Sequence, residues 1–142
     1  LGGSHFSVVF DAGSTGTRVH VLRWHAAGPG GLPAIDHIDS KKVEPGLSSF
    51  KAAPGNAGPS LAPLLEFARG LIPESSRAST PAILYGTAGM RLLEEADQQR
   101  VYAAVRSACA AAGLAVEAGS FRTLDGEDEG FFGLLAVVWL AM

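Results

Sequence analysis

Three short segments of this chain combine small residues with side chains that can bind phosphate, metal or water. They are Asp11-Ala-Gly-Ser-Thr-Gly-Thr17, Tyr85-Gly-Thr-Ala-Gly-Met-Arg91 and Asp125-Gly-Glu-Asp-Glu-Gly130. In the first, the backbone N–H groups of a glycine-rich turn can hold a phosphate, and Asp11 at a strand end can hold a hydrated Mg²⁺. An ordinary hairpin turn, in which these residues serve only the backbone geometry, is the alternative interpretation.

The second segment leads from a strand into small residues and then into a helix. A helix N-terminus can bind an anion through its unpaired N–H groups, and Thr87 adds a hydroxyl there. The alternative is a plain strand-to-helix turn in which Arg91 pairs with Glu94 or Glu95 at helical spacing.

The third segment places four carboxylates within five residues, just before an apolar stretch. The dipole of a following helix stabilises one or two acidic groups at its start. Mutual repulsion in a cluster of four would raise the pKa of one of them, and a carboxylate held there can act as general base on a water molecule.

Several other chemistries are disfavoured. The sequence has no Gly-Lys-Ser/Thr phosphate loop, no G-x-G-x-x-G, no H-E-x-x-H and no G-x-S-x-G, and Cys109 on an apolar helical face is typical of a core residue. With 142 residues, 11 basic against 14 acidic side chains and 47% hydrophobic residues, the chain is one folded domain without the basic footprint of a nucleic-acid binder. The longest apolar run, 131–142, is shorter than the roughly 20 residues that cross a bilayer.

The elements that would position these segments follow from hydrophobic periodicity and from turn residues. The pattern predicts strands over 6–10, 17–24, 34–43, 81–85, 114–118 and 121–124, and helices over 60–72, 88–112 and 131–140. Ser60 is expected to cap the first helix, 52–59 to form a flexible loop, Leu92 to face inward, and Asp97 to mark a possible break. This order predicts a mixed α/β sheet that opens with three consecutive antiparallel strands and carries helices on its faces.

Taken together and in order, four segments resemble the apyrase-type nucleoside phosphatases, a family that includes Golgi guanosine diphosphatase and plant apyrases. The segments are Val8 to Val21, Glu44-Pro-Gly-Leu-Ser-Ser49, Tyr85 to Leu93 and Asp125 to Gly130. The resemblance implies the actin-like, ribonuclease H-like ATPase fold, with two related lobes and the nucleotide between them. Residues 1–142 would then be the N-terminal lobe, with the second lobe absent.

The resemblance also assigns roles. One of two phosphate loops would be formed by Ser14, Thr15, Gly16 and Thr17. Asp11 would bind Mg²⁺ or Ca²⁺ through water, and Thr87 would line the nucleophile side. Glu129 would activate the attacking water, and hydrolysis would then proceed without a covalent intermediate.

The resemblance implies hydrolysis of the terminal phosphate of nucleoside di- or triphosphates, in the lumen of the secretory pathway (Golgi or ER) or at the cell surface. Gly133-Leu134 stands where many members have Gly-Trp, and the second loop, of the Asp-x-Gly-Gly-x-Ser type, is missing. We therefore expect the chain alone to have little or no activity. An exopolyphosphatase-like hydrolase of the same superfold and a non-catalytic nucleotide-binding remnant are the alternatives.

Overall fold

The computed structural model describes residues 3–26, 29–31 and 33–127. The chain opens with an antiparallel meander of three strands, β1 (His5–Ala12), β2 (Thr17–His25) and β3 (Ala34–Val43). In β1 and β2 the buried residues alternate with more exposed ones, which is the period-two pattern of a sheet with one face in the core. The predicted antiparallel opening is thereby confirmed.

Two further strands complete the sheet in the order β3-β2-β1-β4-β5. β4 (Ala82–Gly86) runs parallel to β1, and β5 (Phe121–Thr123) runs parallel to β4. Because parallel strands end at the same edge, the residues that follow β1, β4 and β5 come together there. The strand predicted over 114–118 is wrong except for a single bridge between Pro81 and Ala115.

Helices fill the two connections that return the chain to parallel strands. Two 3-10 turns span Leu47–Phe50 and Pro54–Asn56. The α-helices are α1 (Ala57–Ser60), α2 (Ala62–Leu71), α3 (Glu74–Arg77), α4 (Ala88–Arg91) and α5 (Glu95–Ala111). None of the helices in the described part of the chain is both long enough and apolar enough to cross a membrane.

The core lies between one face of the sheet and the helices. Phe10 of β1, Leu64 of α2, and Tyr102 and Val105 of α5 are completely buried within one hydrophobic cluster. A buried core of this kind is the main stabilising term for a chain of this size. It also fixes the register of the sheet, because a slip of one residue would turn the buried side chains of a strand toward solvent.

Two predictions about the first connection are wrong. The segment predicted as a flexible loop over 52–59 forms the second 3-10 turn and α1, in which Ala57 and Gly58 are buried. Ser60 ends α1 instead of capping α2, because its hydroxyl donates to the carbonyl oxygen of Ala57 at 2.6 Å.

The helix predicted over 88–112 is two helices, and its break lies at 92–94, not at Asp97. Gly89 and Met90 take the buried side of α4. Leu92 lies about 200° further around the helix than Met90 and therefore points away from the core. Its side chain is 87% exposed, so the prediction that it faces inward is wrong. The predicted helix over 131–140 falls outside the described residues.

Candidate functional site

The turn between β1 and β2 offers free backbone donors. The N–H of Gly13 donates to the carbonyl of Gly16 at 2.9 Å and closes the hairpin, while Ser14 and Thr15 stay exposed. Within the described part of the chain, the N–H groups of Ser14, Thr15 and Gly16 donate to no backbone acceptor. Successive free N–H groups in a tight turn can bind an anion such as phosphate.

Thr17, the last residue of the predicted phosphate loop, differs from its neighbours. It is completely buried, and its hydroxyl has no hydrogen-bond partner among the described residues. The turn therefore presents two exposed hydroxyls, those of Ser14 and Thr15, whereas the hydroxyl of Thr17 lies inside.

Asp11 and Thr87 are brought together although they lie far apart in the sequence. Asp11 is exposed near the end of β1, opposite Tyr85 of β4. The N–H and the hydroxyl of Thr87 both donate to the carbonyl oxygen of Ala12, at 3.1 Å and 3.3 Å. Thr87 is thus attached to the residue that follows Asp11, and it does not cap α4 with its side chain.

Two glycines allow neighbouring segments to close on the turn. A Cβ on Gly46 would lie 2.6 Å from the carbonyl oxygens of both Gly13 and Ser14. A Cβ on Gly89 would lie 2.8 Å from the Cα of Ser14 and 3.0 Å from the hydroxyl of Ser48. Since real Cβ atoms essentially never come that close to backbone atoms, the turn is held between the 44–49 segment and α4 by contacts that only glycine permits.

Positive side chains lie level with Asp11 across the sheet. The strand registers place five residues in one row: Lys42, Arg18, Asp11, Tyr85 and Arg122. The Arg122 guanidinium lies over the Tyr85 ring at 5.6 Å, and Arg18 donates to the Ser40 hydroxyl at 3.4 Å. Sequence reasoning missed this row, because it depends on the pairing of five strands.

His20 lies close to this row, two residues beyond Arg18 in β2. Burial lowers the pKa of His20, the Asp11 carboxylate opposes that shift, and the positive charge of Arg18 adds to it. The imidazole is therefore mostly neutral near pH 7, and it adds little to the positive charge around Asp11.

The donor set suits a hydrated hard cation. No group of three or more His, Cys, Asp or Glu side chains within the described residues is arranged to hold a metal ion. Mg²⁺ keeps several waters and is commonly held by one or two carboxylates together with substrate phosphates. A single exposed carboxylate, that of Asp11, beside a turn rich in N–H donors fits Mg²⁺ or Ca²⁺ bound through water.

The acidic segment starts at the same edge. The N–H of Leu124 donates to the carbonyl of Gly86 at 2.8 Å, and Arg91 donates from Nη1 to the carbonyl of Leu124 at 2.9 Å. Asp125 and Glu127 follow and are exposed. Glu129, the predicted general base, lies outside the described residues.

Comparison of the sequence with known proteins gives a consistent family. The model of the GDA1/CD39 (nucleoside phosphatase) family matches residues 3–141. The chain is 37% identical to the human nucleoside diphosphate phosphatase ENTPD5 over 135 residues, which cover 95% of this chain and 32% of that protein. It is 38% identical to the apyrase of Solanum tuberosum (96% and 30%) and 36% identical to the Golgi apyrase of Saccharomyces cerevisiae (95% and 24%).

Solved structures give the same fold. The nucleoside triphosphate hydrolase of Neospora caninum matches with a TM-score of 0.62 at 20% identity, over 98% of this chain and 32% of its own. A Ppx/GppA family member of Aquifex aeolicus matches with a TM-score of 0.51 at 20% identity, over 95% and 40%. The predicted mixed α/β sheet of the actin-like ATPase fold is thereby confirmed. The chain spans about a quarter to a third of the length of the curated relatives it matches.

Proposed function

Since the chain belongs to the GDA1/CD39 nucleoside phosphatase family, we propose that the protein carrying it hydrolyses the terminal phosphate of nucleoside di- and triphosphates. One observation carries the proposal: in the described part of the chain, the successive N–H groups of residues 14–16 have no backbone acceptor, and they lie beside an exposed carboxylate and a threonine hydroxyl. Together these groups match the needs of a phosphate chain with its counter-ion.

The turn would hold the phosphates. The N–H groups of Ser14, Thr15 and Gly16 would donate to phosphate oxygens, with the two exposed hydroxyls beside them. Thr17 would complete the loop where it enters β2. Fixed donors of this kind stabilise the charge that spreads over the oxygens of the transferred phosphoryl group.

Asp11 would hold the waters of a Mg²⁺ or Ca²⁺ ion. Such an ion, when bound, neutralises charge on the phosphates. Arg18 faces Asp11 across β1 and β2 and adds a positive charge on the same side. Thr87, attached to the carbonyl of Ala12, would border the position from which the water attacks.

Glu129 would take the proton from the attacking water. Its assignment rests on the family resemblance and on the place where the acidic segment starts, at the edge that β4 and β5 share. Because a carboxylate there accepts a proton and water supplies the oxygen, the reaction needs no covalent intermediate.

We infer further that the chain acts as the N-terminal lobe of a two-lobed enzyme, whose second lobe supplies the other phosphate loop. Nucleoside diphosphates are the first substrates to test, since one of the relatives is named as a nucleoside diphosphate phosphatase. The presence of a Golgi apyrase among the relatives supports a place in the secretory pathway.

Substitution of the general base tests the proposal. In the complete gene product, Glu129→Gln should keep nucleotide binding and lower Mg²⁺-dependent phosphate release from GDP and UDP by about 10²–10⁴-fold. Glu117→Gln removes the same charge from an exposed turn and serves as the matched control. Unchanged turnover in Glu129→Gln would contradict the general-base assignment. Robust phosphate release from residues 1–142 alone would contradict the inference that a second lobe is needed.

An exopolyphosphatase is the second candidate, because the fold is shared with a Ppx/GppA family member. Turnover of polyphosphate in preference to GDP and UDP would favour it. A wild-type protein that binds nucleotide without releasing phosphate, and is unaffected by Glu129→Gln, would instead be a non-catalytic nucleotide-binding remnant.

A further inference from the structure

A series of partly buried side-chain hydrogen bonds lies directly behind the strand ends that carry the candidate site. The hydroxyls of Tyr102 and Thr123 are 2.5 Å apart, and the Thr123 hydroxyl donates to Oε1 of Gln98 at 2.7 Å. Since Thr123 has a single proton and gives it to Gln98, Tyr102 must donate to Thr123. Gln98 in turn donates from Nε2 to the carbonyl of Leu93 at 3.0 Å, so every bond in the series has one direction.

These hydrogen bonds involve both strands that end at the site. Thr123 is the last residue of β5, and its neighbour Leu124 is bonded to the carbonyl of Gly86, the last residue of β4. A Cβ on Gly86 would collide with the Tyr102 hydroxyl. Only glycine therefore allows the tyrosine to reach Thr123 beneath the end of β4, one residue before Thr87.

The last hydrogen bond of the series, from Gln98, joins it to the α4–α5 connection. Leu93, whose carbonyl accepts the last bond, lies in the break between the two helices, two residues beyond Arg91. Arg91 donates to the carbonyl of Leu124. Leu124, the first residue after β5, is thus bound by its N–H to β4 and by its carbonyl to α4. Thr123, the residue before it, is held by the hydrogen bonds to Tyr102 and Gln98.

We propose that Tyr102, Thr123 and Gln98 are positioning residues for the proposed hydrolysis. They fix the direction in which the backbone leaves β5 and enters the acidic segment at Asp125, and so fix the start of that segment relative to Thr87. The inference rests on the proposed function. It assigns to a tyrosine in the middle of α5 a role that its buried position by itself does not indicate.

The Tyr102 donor is present throughout the working range of pH. Burial raises the pKa of the Tyr102 hydroxyl from its ordinary value of 10.0, and donating its proton to Thr123 also favours the neutral form. The hydroxyl therefore keeps its proton at neutral pH. Any effect of removing it should appear in the maximal rate, with the pH profile keeping its shape.

Single-group substitutions in the complete gene product test the inference. Tyr102→Phe and Thr123→Val each remove one hydroxyl with little change of shape. We expect each to lower kcat for GDP hydrolysis by about 10-fold, with KM changed by less than about twofold, since misplacing a reacting group by about 1 Å can cost up to 100-fold. The double variant should lose no more than the poorer single variant, because both break one series.

Thr80→Val is the matched control, because Thr80 is a buried threonine before the opposite end of β4 whose hydroxyl donates to the carbonyl of Ser76 at 2.8 Å. It should lower stability as Thr123→Val does and leave kcat unchanged, and Thr123→Ser should restore kcat. Equal losses of kcat in Thr80→Val and Thr123→Val, or losses that multiply in the double variant, would overturn the inference.

Amide hydrogen exchange separates this inference from the proposed function. In the protein without nucleotide, Tyr102→Phe should accelerate exchange at the N–H of Leu124 by about 10-fold relative to Thr80→Val, whether or not the wild type releases phosphate. An inactive wild type would refute the proposed function alone. Unchanged exchange at Leu124 would refute the positioning role even in an active enzyme.

Discussion

Gly46→Ala should displace the turn over 13–16, which we propose binds phosphate, although Gly46 itself lies outside that turn. Gly46 has φ −66° and ψ 157°, a backbone conformation that alanine adopts freely. The substitution therefore introduces no backbone strain, and its effect comes only from the added methyl group. That group would lie 2.6 Å from the carbonyl oxygens of Gly13 and Ser14.

The size of the effect follows from those distances. Ordinary van der Waals contact begins at 3.4 Å, so the turn must move by about 0.8 Å to accept a methyl group placed at 2.6 Å. Inserting a methyl group into a closely packed position costs about 1–3 kcal/mol of stability. If the turn holds the reacting phosphate as proposed, a displacement of this size should lower kcat/KM by about 10–100-fold.

The assay is phosphate release from GDP over a range of Mg²⁺ concentrations, together with thermal unfolding. Gly70→Ala is the control, because a Cβ there meets nothing within 4 Å and Gly70 lies within α2. It should raise stability by about 0.5–1 kcal/mol through helix propensity and leave activity unchanged. Wild-type kcat/KM in Gly46→Ala, with the melting temperature lowered as expected, would refute the assignment of the turn to phosphate binding.

Two further predictions concern buried polar groups. Burial raises the pKa of the Cys109 thiol to about 12 from 9.0. The stability that depends on the protonated thiol is therefore complete below about pH 9 and is lost as the pH rises toward the folded-state value. Between pH 7 and pH 10 the wild type should therefore lose about 1.4 kcal/mol more of its free energy of unfolding than Cys109→Ala, which has no thiol to ionise. Urea denaturation measures both losses, and equal losses would contradict the raised pKa of Cys109. Thr17→Val removes a buried hydroxyl that has no hydrogen-bond partner among the described residues. It should raise the free energy of unfolding by about 1 kcal/mol. A lower melting temperature than that of the wild type would show that the hydroxyl is bonded in the folded protein.

Much of the fold follows from local sequence patterns. The β-branched run in 6–10 predicted β1, and the alternating apolar residues in 17–24 predicted β2. The structure extends these predictions by only one or two residues at most ends. The antiparallel opening was predictable because the two strands are joined by a four-residue turn, which leaves few other pairings. The sequence also predicted that the first turn and Thr87 belong to one site.

The helices were predicted less well, because their limits depend on contacts outside the segment. The periodic pattern over 88–112 contains no Gly or Pro between 90 and 112. The helix nevertheless ends at Arg91, because the side of α4 that carries Gly89 and Met90 packs against the core and against Ser14 of the first turn. Local propensity carries no information about such a neighbour.

By itself, the sequence determined the residue types of the site and, through four ordered motifs, the family. Tertiary structure alone decided how closely those residues approach one another. Gly46 and Gly89 meet Ser14 across 32 and 75 residues of sequence, Thr87 bonds to the carbonyl of Ala12, and Tyr102 reaches Thr123 beneath Gly86. These contacts depend on the parallel register of β1, β4 and β5. That register is set by burial of the whole core and not by any one segment, so no local pattern could have predicted them.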